Sequence, residues 1–177
     1  MSILADRIYR AYQNREDFHA MVIIPLKPEF REEWDTGRDL RLVSYWTYAT
    51  IYRGKNSLMK RLEGIPSEVI PHYFSVHCLR THGSLMGNLV TEVVYVHSKL
   101  MIVDDRVAII GSANINDRSM LGDRDSEVAV IIQDNDMMEG EMNGQPYQVG
   151  KFSHSLRSHL LKEHLGLLSE VNDMRRH

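Results

Sequence analysis

Three short β-type segments, separated by gaps of only three residues, constrain the fold more than any other feature of this sequence. They cover residues 93–96, 100–103 and 107–110. Asp104 and Asp105 fall in the second gap, where aspartate favours a tight turn. The second and third segments are therefore predicted to form an antiparallel pair within a sheet.

The rest of the chain alternates between helical and extended patterns. Apolar residues that recur at helical spacing predict helices, and short apolar runs rich in β-branched residues predict strands. Helices are predicted at 3–12, 39–62 and 152–168. Strands are predicted at 21–24, 69–79 and 128–132, in addition to the three segments above. Loops are predicted at 25–37, around Gly83 and Gly87, and from the last strand to about residue 150.

The order of these elements predicts the fold class. A strand, a helix and a second strand at the beginning of the chain predict a parallel unit with a right-handed crossover. The tight turn at Asp104-Asp105 adds an antiparallel pair to that unit. We therefore predict an α/β fold with a mixed, mostly parallel sheet sandwiched by helices.

Composition narrows the class of protein. A chain of 177 residues suits a single domain. Its net charge of -3 provides no general basic field, so no nucleic-acid partner is expected. The single cysteine, Cys78, excludes an internal disulfide framework and fits a reducing compartment. No apolar run is long enough to span a membrane, and the first residues do not resemble a signal peptide. We expect a cytoplasmic chain, soluble or peripheral at membranes.

His97 and Lys99 are the first candidates for chemistry. Side chains two residues apart on a strand leave the same face, so an imidazole and an ammonium group can converge on one point. Such a pair suits a phosphoryl group, because the cation neutralises oxygens while the imidazole attacks or donates a proton. Asn114 can donate to a second phosphate oxygen, and Ser112 can add a hydroxyl or a backbone donor.

These residues form a pattern that resembles the active-site motif of the phospholipase D superfamily. The pattern is H-x-K-x4-D from His97 through Lys99 to Asp104, followed by G-S-x-N at 111–114. The flanking sequence is similar to the C-terminal lobe of the eukaryotic phosphatidylcholine-hydrolysing phospholipases D. That similarity extends over residues 79–82, 87–92, 114–122, 124–127, 155–157 and 163–166.

The resemblance implies a role for each matching residue. His97 would be the nucleophile that forms a phosphohistidine, or else the acid that protonates the leaving group. Lys99 and Asn114 would hold the phosphate oxygens. Glu127 would accept a hydrogen bond from the other ring nitrogen of His97 and set its tautomer. Asp104 belongs to the motif but is expected to support the turn rather than to touch substrate.

The resemblance also implies the partners. No metal or cofactor is expected, because lysine and two histidines supply the positive charge in a complete site. Residues 1–177 resemble a single catalytic lobe, with the motif region at 90–132 and a final helix at about 150–168. This sequence holds one motif where the family uses two, so a second lobe is expected from a homodimer or a separate chain. The expected substrate is a phospholipid at a membrane surface.

Alternative interpretations remain open at this point. The chain could be a non-catalytic fragment or a partner-binding lobe, or a dimeric nuclease of the same superfamily. The acidic balance and the lipid-type flanking segments argue against a nuclease. Glu127 could be an ordinary exposed carboxylate. Three histidines near the C-terminus, at 154, 159 and 164, are spaced about 140° apart on a helix and are not expected to share a metal.

Overall fold

The computed structural model describes residues 1–25 and 45–168. Its helices are α1 (Ser2–Asn14), a helical segment at 45–48 that continues into a π-helical turn (Ala49–Arg53), α2 (Leu58–Arg61), α3 (Ile70–Tyr73), α4 (Asp117–Met120) and α5 (Lys151–His164). Its strands are β1 (Ala20–Ile23), β2 (Phe74–His77), β3 (Leu79–Leu85), β4 (Asn88–Val94), β5 (Lys99–Val103), β6 (Val107–Gly111), β7 (Ala129–Gln133), β8 (Met137–Met142) and β9 (Gln145–Gly150).

A five-stranded mixed sheet with the order β2-β1-β5-β6-β7 forms the centre of the protein. The predicted α/β class with a mixed sheet flanked by helices is confirmed. The expected predominance of parallel pairing is wrong, because only β1 and β2 run parallel and the other three pairings are antiparallel. A short connection explains one of these pairings, since the three-residue turn between β5 and β6 allows only antiparallel neighbours.

Each face of the sheet packs against helices, because alternate strand residues point to opposite faces. In β1, Ala20 and Val22 join a core with α1 and α2, whereas Met21 and Ile23 join a second core on the other face. Leucines of α5 cover that second core, namely Leu156, Leu160 and Leu161. The predicted final helix ran to residue 168, but Leu165 lies after the end of α5 and is exposed.

Several element predictions are confirmed and others are wrong. The opening helix, the parallel unit, the turn at Asp104-Asp105, the strand at β7 and the final helix are all present. The predicted loop around Gly83 and Gly87 is instead the β3–β4 hairpin, and the predicted loop before residue 150 is the β8–β9 hairpin. Both turns contain two consecutive residues with positive φ, at Met86-Gly87 and Asn143-Gly144. The asparagine-glycine pair was an available hairpin signal.

The long helix predicted at 39–62 is also interrupted. Residues 39–44 and most of the predicted loop at 25–37 lie outside the described residues. The π-helical turn ends at Gly54, whose N–H donates to the Ala49 carbonyl at 2.6 Å. A Cβ at Gly54 would lie 2.5 Å from that carbonyl oxygen, so only glycine fits there. The strand predicted at 69–79 is shorter, because α3 occupies its first half.

Candidate functional site

Lys99 begins β5, opposite Gly111 of β6. Its side chain is largely buried, at 7% exposure, and lines an apolar groove on the α1 face of the sheet. Burial lowers the pKa of the Lys99 ammonium group, while the nearby Glu127 carboxylate acts in the opposite direction. A buried cation close to one carboxylate is suited to an anionic ligand, which would supply further compensating charge.

His97 lies two residues before β5, in the irregular segment that follows β4. The imidazole is exposed, and its ring centroid is 6.0 Å from that of Tyr95. Within residues 1–25 and 45–168, no hydrogen bond restrains the side chain of His97, Lys99 or Asn114. These three predicted site residues therefore keep their polar groups available to a ligand.

Glu127 is held by the loop that follows β6. The Ser112 hydroxyl donates to the Glu127 carboxylate and accepts from the Val128 N–H at 3.0 Å. The Ser112 N–H donates to the Val128 carbonyl at 3.0 Å, which ties this loop to the start of β7. Hydrogen bonds from Ser112 and then Ser119 lower the pKa of Glu127, so the carboxylate is ionised at neutral pH.

The predicted hydrogen bond between Glu127 and His97 is not formed in the described part of the chain. The Glu127 carboxylate instead contacts the Ser112 hydroxyl. The β6–β7 pairing ends at Gly111 and Ala129, and its continuation places Ser112 opposite Val128, next to Glu127. Gly111 makes this approach possible, since a Cβ there would lie 2.5 Å from the Val128 carbonyl oxygen. Glu127 is thus near Lys99 but positioned through Ser112.

The loop that carries Asn114 is fixed by short local contacts. The Asn114 N–H donates to the Ser119 hydroxyl at 3.2 Å. The Ser119 N–H in turn donates to the side-chain oxygen of Asn116 at 3.2 Å, which caps α4. Arg118 forms two hydrogen bonds with Asp125, at 3.1 and 2.9 Å, and so closes the loop that leads to Glu127. The backbone of Asn114 is restrained, although its side-chain amide is not.

Asp104 lies at the opposite end of β5 from Lys99. Five residue steps of extended chain separate their Cα atoms, about 16 Å. One carboxylate oxygen of Asp104 accepts from the His19 N–H at 2.7 Å, and the Asp104 N–H donates to the His19 carbonyl at 2.9 Å. Burial raises the pKa of this carboxyl above its usual value. This geometry supports the turn interpretation of Asp104 and not a place among the catalytic residues.

Asp105, which the sequence marked only as a turn residue, forms the strongest polar network of the described residues. Arg157 of α5 donates to both of its carboxylate oxygens at 2.6 Å, and His154 contacts one of them at 2.8 Å. Burial tends to raise the pKa of Asp105, but hydrogen bonds from Arg157 and His154 outweigh it and leave the pKa lowered. In the sequence, Arg157 stands within the leucine-rich pattern of the final helix, and this was the available signal for its pairing with Asp105.

An apolar groove of about 510 Å³ extends from Lys99 along the α1 face of the sheet. Its walls include Leu4, Met101, Ile109, Ala113, Ile115 and Met120. The edge strand β7 lies beside this groove and exposes Val130 and Ile131. Apolar side chains on both faces of an unpaired edge are unusual for a surface that remains in water.

Two further properties concern metals and membranes. Among residues 1–25 and 45–168, no three histidine, cysteine, aspartate or glutamate side chains form a group that could hold a metal ion. In the same ranges, no helix has the length and apolar character needed to cross a bilayer.

Comparison with known proteins identifies the family. The family model described as phospholipase D matches residues 77–175. The chain is 47% identical over 171 residues to phospholipase D zeta 1 of Arabidopsis thaliana, which covers 94% of the chain and 16% of that protein. It is 46% identical to phospholipase D1 of Schizosaccharomyces pombe, with 97% of the chain and 13% of that protein covered, and 44% identical to human phospholipase D1, with 96% and 16% covered. The chain therefore spans less than a fifth of the length of these relatives, and it belongs to the phospholipase D family.

Proposed function

We propose that the chain contributes one half of a phospholipase D active site, which hydrolyses phosphatidylcholine to phosphatidate and choline. The single observation that carries this proposal is the group of unrestrained polar side chains at one end of β5: His97, Lys99 and Asn114. Lys99 and Asn114 would hold the phosphate oxygens, with Ser112 available as a further donor. The names of the relatives support the reaction class.

The reaction has two steps. In the first, a ring nitrogen of His97 attacks phosphorus, the bond from phosphorus to the choline oxygen breaks, and a proton passes to that oxygen from a second acid. In the second, water attacks the phosphohistidine, loses a proton to a base and releases phosphatidate. A primary alcohol that replaces water yields a phosphatidylalcohol. Phosphorylated His97 cannot also serve as the base, so a second group is required.

That second group would come from another lobe, supplied by a second copy of the chain or by a separate chain. The groove beside Lys99 and the exposed side chains of Val130 and Ile131 support a lobe interface at this edge of the sheet. Covering an edge strand in this way removes unpaired backbone groups as well as apolar surface from water. The phospholipid substrate implies that the assembly works at a membrane surface, and the single cysteine, Cys78, fits the reducing conditions of the cytoplasm.

Labelled phosphatidylcholine and a primary alcohol test the proposal. We expect phosphatidylalcohol when the chain is combined with an N-terminal lobe or forms a dimer, and none from the monomer or from the His97→Asn variant. Sedimentation identifies the assembly present in each sample. Robust transfer by a strictly monomeric sample would overturn the two-lobe requirement. Unchanged transfer in the assembled His97→Asn variant would overturn the assignment of the nucleophile.

A further inference from the structure

The β3–β4 hairpin forms a separate two-stranded sheet with an apolar tip. Met86 and Leu89 are 95% and 93% exposed, and Leu85 beside them is also exposed. The nine residues from 83 to 91 include no charged side chain. Three large apolar side chains therefore lie beside the turn of an uncharged projection, with Leu85 and Leu89 on opposite faces of the hairpin, although exposure of this kind is unfavourable in water.

The two ends of the hairpin differ. At its base, the His82 ring and the Arg80 guanidinium group both approach the His164 carbonyl at the end of α5, at 3.0 and 3.5 Å. Met86 at the tip lies four residues beyond His82 and six beyond Arg80, roughly 13 and 20 Å away. The hairpin is thus anchored at its base, and its tip is presented to the surroundings.

The backbone of the hairpin is regular up to its turn. Seven residue pairs link β3 to β4 without a bulge, and the two-residue turn at Met86-Gly87 has the positive φ angles that suit such turns. The inward-facing backbone groups of the two strands pair with each other, whereas the outward-facing groups of this two-stranded sheet have no partner strand among the described residues, so the tip suits the hydrated headgroup region and not the hydrocarbon core.

We propose that the tip formed by Leu85, Met86 and Leu89 inserts into the interface of a phosphatidylcholine bilayer and holds the active site at the membrane surface. Three side chains are too few for a stable protein interface, which needs about 800 Å² from each partner. They suit shallow membrane insertion, which requires only a small apolar group. Strand β4 ends three residues before His97, so the anchored hairpin and the catalytic segment are continuous in sequence.

The charge pattern predicts the kind of membrane. Arg80 near the base is balanced by Glu92 of the partner strand, and the tip is uncharged. Attraction to anionic lipids would therefore contribute little. We expect binding to zwitterionic phosphatidylcholine vesicles that changes less than about twofold when the ionic strength rises to about 0.5 M.

This inference rests on the proposed phospholipid substrate, and its test measures binding rather than turnover. An environment-sensitive fluorophore is attached at Met86→Cys in a chain that also carries Cys78→Ser and His97→Asn. The control places the same label at Ile3→Cys on α1, a position that is 85% exposed. With phosphatidylcholine vesicles, we expect a blue shift and quenching by nitroxide lipids at position 86 but not at position 3.

A second measurement compares vesicle partitioning of unlabelled chains. The triple variant Leu85→Ser, Met86→Ser, Leu89→Ser is expected to bind at least about tenfold more weakly than the parent, whereas Ile3→Ser binds equally well. An unchanged label at position 86, or undiminished binding of the triple variant, would overturn the proposal. So would a label that responds to rising protein concentration without vesicles, because the tip would then be a protein interface. Insertion by a chain that retains His97 and is assembled with a second lobe, but shows no hydrolysis, would instead count against the proposed reaction alone.

Discussion

The two ends of strand β5 are built in opposite ways. At the Asp104-Asp105 end, both carboxylates are engaged, one by the His19 backbone and the other by Arg157 and His154. At the Lys99 end, the ammonium group is buried in an apolar groove, and no hydrogen bond fixes it in the described ranges. At one end of β5 the polar groups are therefore paired with other residues, and at the other end they are available to a ligand.

One end of β5 therefore contributes mainly to stability, and the other end contributes mainly to function. A buried carboxylate that is fully paired stabilises the chain only because both partners are present. A buried cation without fixed partners reduces stability, which is tolerated where a ligand supplies the missing interaction. Substitutions at the two ends are therefore expected to affect different measurements.

The largest effect is expected for His97→Asn. Turnover of the assembled enzyme should fall by more than about 10³-fold, because no other group can replace the nucleophile. The melting temperature should stay unchanged, since the exposed imidazole makes no hydrogen bond with residues in the described part of the chain. Alcohol transfer and thermal unfolding measure the two quantities. His159→Asn, at an exposed position of α5, is the matched control, and equal losses in both variants would contradict the prediction.

The next effect, on stability, is expected for Asp105→Asn. Removing the carboxylate leaves Arg157 and His154 without their partner and should lower the free energy of unfolding by about 2–3 kcal/mol. The value is below that of a fully buried pair because the Arg157 side chain is 28% exposed. Denaturant titration measures it. Asp136→Asn, which removes an exposed ion pair with Lys151, should cost less than about 1 kcal/mol.

The pH dependence of stability gives a second measure of Asp105. Its pKa is lowered by folding, so its contribution is present above the unfolded value, about 3.9. That contribution is lost as pH falls through the lower folded-state pKa. The difference in stability between the parent chain and Asp105→Asn should therefore shrink in acid. A constant difference across this range would show that the carboxylate is not paired as described.

A smaller effect is expected for Glu127→Gln, which we predict lowers turnover by roughly 10-fold to 100-fold without unfolding the chain. Loss of the carboxylate charge also removes an interaction that favours the charged form of Lys99, so the pKa of Lys99 should fall further. The alkaline limb of the pH-rate profile is then expected to move to lower pH. Glu141→Gln, on an exposed strand residue, provides the control. An unmoved alkaline limb would reduce Glu127 to a structural residue.

The smallest effect is expected for Asp104→Asn. Folding raises the pKa of Asp104, so keeping the carboxyl ionised lowers the stability of the folded chain. This loss of stability disappears when the carboxyl is protonated, as pH falls below its pKa in the folded state. Asparagine keeps an oxygen that can accept from the His19 N–H and tolerates positive φ. Stability at neutral pH should change by less than about 1 kcal/mol, and turnover should not change. A large loss of turnover would show instead that Asp104 is a catalytic residue.

The central sheet was largely predictable from local patterns. The paired strands β5 and β6 follow from two apolar runs separated by Asp104 and Asp105, and both residues adopt the positive φ of a tight turn. The two added hairpins were missed because their strands contain polar residues and glycine, which weaken the alternation. The break in the helix at Gly54 depends on a close carbonyl approach that sequence spacing does not reveal.

The sequence alone determined the family motif, because its residues lie close together along the chain and their types are chemically specific. It also determined that His97 and Lys99 share one neighbourhood, since two residues of extended chain cannot separate them widely. Only the tertiary structure decided that Asp105 pairs with Arg157, 52 residues away, and that Ser112 rather than His97 holds Glu127. The physical reason is that these partners meet only after the sheet pairs and α5 packs across it, so no local pattern specifies them.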